Sequence, residues 1–304
     1  MWIKKGLIFK PEGQFDWCIT HAMLPVADKI DGDLYRIYFS GRDKLNRSLT
    51  GYVDVDINNP QKILNISEKP ILDLGSLGAF DDNGVSPTCL VNYENRKYLF
   101  YMGWNKGSTV RAAEVSGLAI SDDGGNTFKR YSRAPVMLRT DKEPYNILVI
   151  SSIMIEDNKW RMWYDSADKW ISNDLPRYNI KYAESGPGMK GVDWTREGIV
   201  SVDYNRPDES RISRASVIKE DGIYKMWYCY AIEFDGYRIG YAESMDGIRF
   251  QRKDDLVGIG LSDFGWDSEM ICYPFVFKNK GQKIMLYCGN GYGKTGFGYA
   301  IWED

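Results

Sequence analysis

The sequence predicts an all-β fold, a five-bladed β-propeller with four-stranded antiparallel blades, and three observations predict it. An aromatic-rich run recurs five times: LYRIYFSG (34–41), KYLFYMG (97–103), KWRMWYDS (159–166), IYKMWYCY (223–230) and KIMLYCG (283–289). Its aligned aromatics, Phe39, Tyr101, Tyr164, Tyr228 and Tyr287, are spaced by 62, 63, 64 and 59 residues. A second run follows each of these: TGYVDV (50–55), SGLAIS (116–121), IKYAES (180–185), IGYAES (239–244) and FGYAIW (297–302). Its markers Tyr52, Leu118, Tyr182, Tyr241 and Tyr299 keep nearly the same period, with steps of 66, 64, 59 and 58. Two markers holding one period five times indicate a repeat architecture that grows around an axis. The third observation is composition. Aromatics make up 14% of the chain, with 21 Tyr and 10 Trp, and such residues suit pleated, half-buried surfaces.

Each repeat has room for four short strands. The first precedes the aromatic run: MLPVA (23–27), SPTCLV (86–91), SSIMI (151–155), RASVIK (214–219) and YPFVFK (273–278). Polar turns separate it from the second strand, such as Asp31-Gly32-Asp33 and Glu220-Asp221-Gly222. Asp, Asn and Gly tolerate the backbone angles of a hairpin turn. The aromatic run is the second strand and the marker run the third. The fourth appears as FKRYS (128–132), WTREGIV (194–200) and FQRKD (250–254). The last repeat stops after its third strand, while WIKKGLI (2–8) matches WTREGIV through Trp2 and Trp194, and Gly6 and Gly198. The N-terminal strand is therefore expected to complete the last blade and protect its edge. Residues 1–304 are read as a single propeller domain. Few windows hold an apolar period of 3.6 over ten residues, so no helix is expected.

The formal net charge is −3 and no Lys/Arg-rich run stands out, which argues against a nucleic-acid partner. No apolar run reaches the ~18 residues of a membrane span. Met1-Trp2-Ile3-Lys4-Lys5 lacks the apolar stretch of a secretory signal, so a cytoplasmic location is expected. Cys18, Cys89, Cys229, Cys272 and Cys288 are scattered and odd in number, and are read as buried free thiols. His21 is the single histidine, which excludes a His-based zinc site of the usual kind. No cofactor is expected. Carboxylates are available for a structural calcium on the axis, but no ligand spacing argues for one. Nothing in the sequence sets an oligomeric state.

With its repeats in place, the whole chain resembles the five-bladed propeller superfamily of glycoside-processing enzymes. That superfamily spans the arabinanase and β-xylosidase group, the invertase and levansucrase group, and the β-mannoside phosphorylases. The resemblance implies an enzyme that cleaves or transfers a glycosidic bond in the central funnel, on a small-molecule or oligosaccharide substrate, with paired carboxylates. Fold alone does not specify the reaction. A sharper local match is SDDGGNTF (121–128), which resembles the Asp-box of sialidases, with a shortened copy in SMDGIRF (244–250). In that motif the Ser and Asp brace a turn, so Asp123 and Asp246 are read as structural.

Inner strands of a propeller converge on the axis, and their entrance ends line the funnel. Alignment on Pro25, Pro87, Ser152, Ala215 and Pro274 places Asp82 and Glu269 in one register, five residues earlier. It places His21, Asn83 and Arg211 one residue later. Carboxylates at such positions are costly unless they face a wet cavity. Glu269 is thus the candidate general acid and Asp82 its partner. Arg42-Asp43 is similar to an Arg-Asp pair that binds substrate in the invertase group, although Lys44 stands where that family has Pro; Asp43 is a third candidate. Asp165 and Asp168 are read as its equivalents in blade three. The arabinanase group carries a base Asp on the first strand of blade one, whereas Thr20–Ala27 holds no carboxylate. A phosphorylase needs no protein base, because inorganic phosphate is the nucleophile, and His21, Arg42, Arg211 and Arg214 would bind it. Trp104, Trp170, Trp266, Tyr273 and Tyr292 are candidate sugar-contacting aromatics. Two alternatives stay open: a non-catalytic carbohydrate-binding propeller, and an enzyme of bacterial surface-glycan biosynthesis acting on an activated sugar. CGNGYGKT (288–295) imitates a phosphate loop but has Cys288 where the first Gly is required. The sequons at Asn46 and Asn65 carry no meaning in a cytoplasmic protein.

Overall fold

A computed structural model describes residues 1–186 and 192–303. Its strands pair as successive antiparallel meanders. The first comprises β2 (Thr20–Asp31), β3 (Leu34–Arg42), β4 (Ser48–Asp56) and β5 (Ile63–Ile66). The second comprises β6 (Gly84–Tyr93), β7 (Arg96–Lys106), β8 (Ala112–Ser121) and β9 (Lys129–Arg130). The third runs through β10 (Ile147–Glu156), β11 (Lys159–Trp170), β12 (Pro176–Ser185) and β13 (Thr195–Val202). The fourth holds β14 (Glu209–Glu220), β15 (Ile223–Ile232), β16 (Arg238–Ser244) and β17 (Gln251–Arg252). In the fifth, β18 (Cys272–Asn279), β19 (Gln282–Cys288) and β20 (Phe297–Trp302) are completed by β1 (Trp2–Phe9) from the start of the chain. Trp2 pairs with Trp302 and Phe9 with Phe297 across this closure. Gly6 and Gly198 both adopt positive φ, 108° and 74°, which is why glycine recurs in the two matched strands. Helix is confined to one 3₁₀ turn (Asp254–Leu256) and four residues, Asn290–Gly293, among the described residues.

Every inner strand carries a β-bulge at the same height. Two of its residues oppose the single aligned aromatic of the second strand: Leu24-Pro25 opposite Phe39, Pro87-Thr88 opposite Tyr101, Ile150-Ser151 opposite Tyr164, Arg214-Ala215 opposite Tyr228, and Tyr273-Pro274 opposite Tyr287. Leu24, Arg214 and Tyr273 take φ of 55°, 58° and 57°. Left-handed backbone is costly for such side chains and persists where the surroundings impose it. A bulge re-aims a side chain, and here it turns one residue of each pair toward the axis.

The aligned aromatics explain most buried acids near the strand entries. A buried phenol needs a hydrogen-bond partner. Tyr101 donates to Asp81, Tyr164 to Glu143, Tyr228 to Asp254 and Tyr287 to Asp267. Each carboxylate also takes a cation: Arg130, Arg196, Arg252 and Lys4 respectively. Phe39 has no hydroxyl, so the first meander has no such pair. Each of these acids braces strands of one meander, and none lines the axial cavity.

The Asp-box reading is confirmed in detail. Asp123 accepts from Ser121 Oγ (2.7 Å), Asn126 N (3.1 Å), Thr127 N (3.0 Å) and Thr127 Oγ1 (2.6 Å). Those donors, the Thr127 and Ser121 hydroxyls first, hold its carboxyl far below the usual range. The turn docks on the preceding meander, where Arg36 reaches Gly125 O and Asn126 Oδ1 and Tyr38 reaches Gly125 O. Asp246 repeats the arrangement, and Trp163 Nε1 donates to Gly247 O at 3.0 Å. Asp123→Ala is expected to destabilise the fold by about 1–3 kcal/mol, read as a lower urea midpoint, without changing ligand affinity. An unchanged midpoint would remove the bracing role.

Candidate functional site

A cavity of about 460 Å³ lies at the axis. Its floor is built by the bulge residues Leu24, Thr88, Ser151, Arg214 and Tyr273, one from each inner strand. Asp165, on β11, completes the floor. Its Oδ1 accepts from Ser151 Oγ (3.1 Å) and from the backbone N–H of Arg214 (3.0 Å). Burial is the main influence on this carboxyl and, with the Glu114 charge adding to the rise, pushes it up to about 7 against the pull of those two donors and of the Arg214 charge. Glu114 lines the cavity from β8 and is half-buried, 3.7 Å from the Arg111 guanidinium. Asp165 and Glu114 are the carboxylates among the lining residues.

Tyr178 and Tyr237 share a hydrogen bond, and the Tyr237 ring lies 6.0 Å from Tyr273 and 5.8 Å from Tyr292. Arg211 donates to Tyr292 Oη at 3.1 Å and to the carbonyls of Glu233 and Asp235. Its guanidinium lies 5.0 Å from the Tyr237 ring centre. Arg214 crosses the axis, donating to the carbonyls of Thr88 and Pro25 on other inner strands. It therefore ties three meanders together as well as forming floor.

Of the candidates from the sequence, Arg42, Arg211, Arg214, Asp165, Trp104, Tyr273 and Tyr292 are gathered at the cavity. Glu269, Asp82, Asp43, His21, Trp170 and Trp266 are not among its lining residues. Glu269 is exposed in the loop before β18, its backbone N–H held by Asn290 Oδ1 at 2.8 Å. The shared register proposed for Asp82 and Glu269 is corrected by the bulges. Thr88 rather than Pro87 matches Pro25 and Pro274, so Asn83 aligns with Glu269 and Asp82 falls one residue earlier. Asp82 Oδ2 accepts from Gly78 N. Asp43 braces its own turn, accepting from Leu45 N, Arg47 N and the Arg47 side chain. Its equivalent in the third meander is Asp168, which accepts from Tyr204 and is exposed; Asp165 stands three residues earlier, in the strand. Burial, with Arg42 and Lys294 nearby, pushes the His21 imidazole down to about 4, so it is neutral at neutral pH and supplies no cation there. Trp170 packs near Ile147 and Tyr178, and Trp266 stacks on Tyr287 at 5.0 Å.

Sequence reasoning missed Glu114, Arg111 and Lys106. A signal for the first was present. Ser48, Glu114, Tyr178 and Tyr237 each lie four residues before a third-strand marker, and all four line the cavity. The five cysteines are buried and free, as expected. Among the described residues no group of three or more His, Cys, Asp or Glu is placed to hold a metal. No described helix is long and apolar enough to cross a membrane.

Meanders closed around an axial cavity define a β-propeller, and solved structures of glycoside hydrolases share this fold. A protein described as a glycoside hydrolase superposes with a TM-score of 0.74 at 17% identity, over 98% of this chain and 90% of its own. A glycosyl hydrolase from Bacteroides ovatus gives 0.72 at 14%, covering 100% and 94%. A thermostable family-43 glycoside hydrolase gives 0.69 at 15%, covering 94% and 91%. The resemblance read from the repeats is borne out at the level of fold. Two Mycobacterium tuberculosis proteins are far nearer in sequence: the uncharacterized proteins MT1551 (strain CDC 1551 / Oshkosh) and Rv1502 (strain ATCC 25618 / H37Rv). Each is 41% identical over 305 residues, 100% of this chain and 99% of its own. The chain belongs to the family of these mycobacterial proteins. No family model matches it.

Proposed function

We propose that this protein is a carbohydrate-active enzyme that cleaves or transfers a glycosidic bond in the axial cavity. Asp165 is the proton donor and Glu114 the second carboxyl of the pair. The observation that carries this reading is the pair of cavity carboxyls whose environments differ. Asp165 is buried and shifted up to about 7, while Glu114 is half-buried beside Arg111. Breaking a glycosidic bond needs a proton for the leaving oxygen and negative charge near the oxocarbenium-like centre. A buried carboxyl raised to about 7 can give the proton, and a second carboxyl lining the same cavity can face the developing positive charge. Tyr178, Tyr237, Tyr292 and Trp104 supply aromatic faces and hydroxyls suited to a sugar.

The test is a glycoside library screen, with and without inorganic phosphate, on wild type, Asp165→Asn, Glu114→Gln and Glu269→Gln. Turnover is expected to fall about a hundredfold or more in the first two variants and to survive in Glu269→Gln. The reverse pattern would move the acid to the exposed loop before β18. Turnover that requires phosphate identifies phosphorolysis, and turnover without it identifies hydrolysis. Sugar binding with no turnover of any substrate would make the protein a binding module and end the enzyme reading.

A further inference from the structure

We propose that the cavity binds a phosphate-bearing ligand, its phosphoryl oxygens held by Arg42 and Arg211. The inference rests on reading the cavity as a sugar site and names the class of ligand it takes. Five cationic side chains line the cavity, Arg42, Lys106, Arg111, Arg211 and Arg214, against two carboxylates. With the Asp165 carboxyl pushed up to about 7 by burial, it is only partly ionised at neutral pH, and the excess of positive charge grows. A neutral glycan does not call for it.

The pairing of the arginines makes the same point. Away from the cavity, Arg36, Arg130, Arg161, Arg196 and Arg252 each contact a carboxylate within 3.0 Å. At the cavity, neither Arg42 nor Arg211 has an acidic partner among the described residues. Arg42 donates to Asn46 Oδ1 at 2.9 Å, and its Nε is buried with no acceptor. Arg211 is 5% exposed, is held by a phenol and two carbonyls, and its Nε is likewise unpartnered. A buried guanidinium without a counter-charge is costly. An anionic ligand supplies that counter-charge, and the planar fork of arginine suits phosphoryl oxygens. Arg214 is committed to the Thr88 and Pro25 carbonyls, so it adds to the positive potential without being the grip. The same chemistry has two sources, free inorganic phosphate or the ester of a phosphorylated sugar.

Isothermal titration of the full chain distinguishes them. The probes are inorganic phosphate, glucose 1-phosphate, mannose 1-phosphate, the neutral methyl glucoside and methyl mannoside, and glucuronate. At least one phosphate-bearing probe is expected to bind about tenfold or more tightly than the neutral glycosides. Arg42→Gln and Arg211→Gln should each weaken it about tenfold or more, while Lys159→Gln, in an exposed ion pair with Glu184, should not. A hexose phosphate binding more tightly than inorganic phosphate assigns the ester, and equal affinity assigns the free ion. Neutral glycosides binding as tightly, glucuronate binding in preference, or no binding of any phosphate-bearing probe would each overturn the proposal. So would full affinity in the two arginine variants. If either variant fails to fold by circular dichroism, the wild-type selectivity decides alone. Because titration needs no turnover, phosphate binding in a protein inactive on every glycoside would sink only the enzyme reading. Turnover of neutral glycosides without phosphate binding would sink only this one.

Discussion

Asp165→Asn is expected to cut glycoside turnover by about a hundredfold or more while leaving the protein folded and more stable at neutral pH. The side chains are nearly isosteric, and the amide oxygen can still accept from Ser151 Oγ and the Arg214 N–H. Only the transferable proton is lost. The stability effect follows from linkage. The Asp165 carboxyl is raised from 3.8 to about 7 by burial, so between those values the folded state binds more protons than the unfolded state. Stability therefore falls as pH rises through that window and levels off above about 7. The asparagine variant carries no such penalty, so its advantage in urea midpoint should open from about pH 4 and level off above about pH 7. Wild-type activity should decline above about pH 7 as the donor ionises. Equal midpoints for the two proteins at both ends of the window would show that Asp165 is not held protonated. Unimpaired turnover would remove it from the chemistry.

Removal of residues 1–9 is expected to be the most damaging truncation. These residues form the outer strand of the fifth meander, paired with β20 from Trp2–Trp302 to Phe9–Phe297. Trp2 is 3% exposed and meets Trp227 and Trp302 edge-on at 5.7 and 5.3 Å. Phe9 lies 5.0 Å from Phe39 in the first meander, so the strand also joins the two ends of the ring. Lys4 adds the ion pair to Asp267 that Tyr287 shares. Trp2→Ala alone should cost about 3–5 kcal/mol. The truncated chain would expose β20 as an apolar, unpaired edge, and aggregation should follow. Urea denaturation of Trp2→Ala and light scattering of the truncated chain check this. A truncated chain that stays monodisperse with an unchanged midpoint would show that the closure contributes nothing.

The repeat period, the four strands of each unit, the closure by Trp2–Phe9, the Asp-box turns and the buried cysteines were all determined by the sequence alone. Each is a local or periodic property. Alternating burial, turn residues with permissive backbone angles and a Ser-x-Asp turn leave their mark within a few neighbouring residues. The residues that face the axis were decided only by the tertiary structure. A single bulge shifts every side chain after it by one place, and neither Pro87 nor Ser152 reveals that the extra residue belongs at Thr88 and Ser151. That slip promoted Asp82. It did not affect Glu269, whose loop is instead held outside the cavity through Asn290. Asp165 reads in sequence as the end of an aromatic run. Its raised proton affinity comes from burial that exists only when the strands converge, and it persists against the donors Ser151 and Arg214 of other strands, which pull it down. The charge of the cavity is of the same kind. Arg42, Lys106, Arg111, Arg211 and Arg214 are spread over 173 positions of a chain with net charge −3, and they make one positive site only because the strands bring them to a common axis.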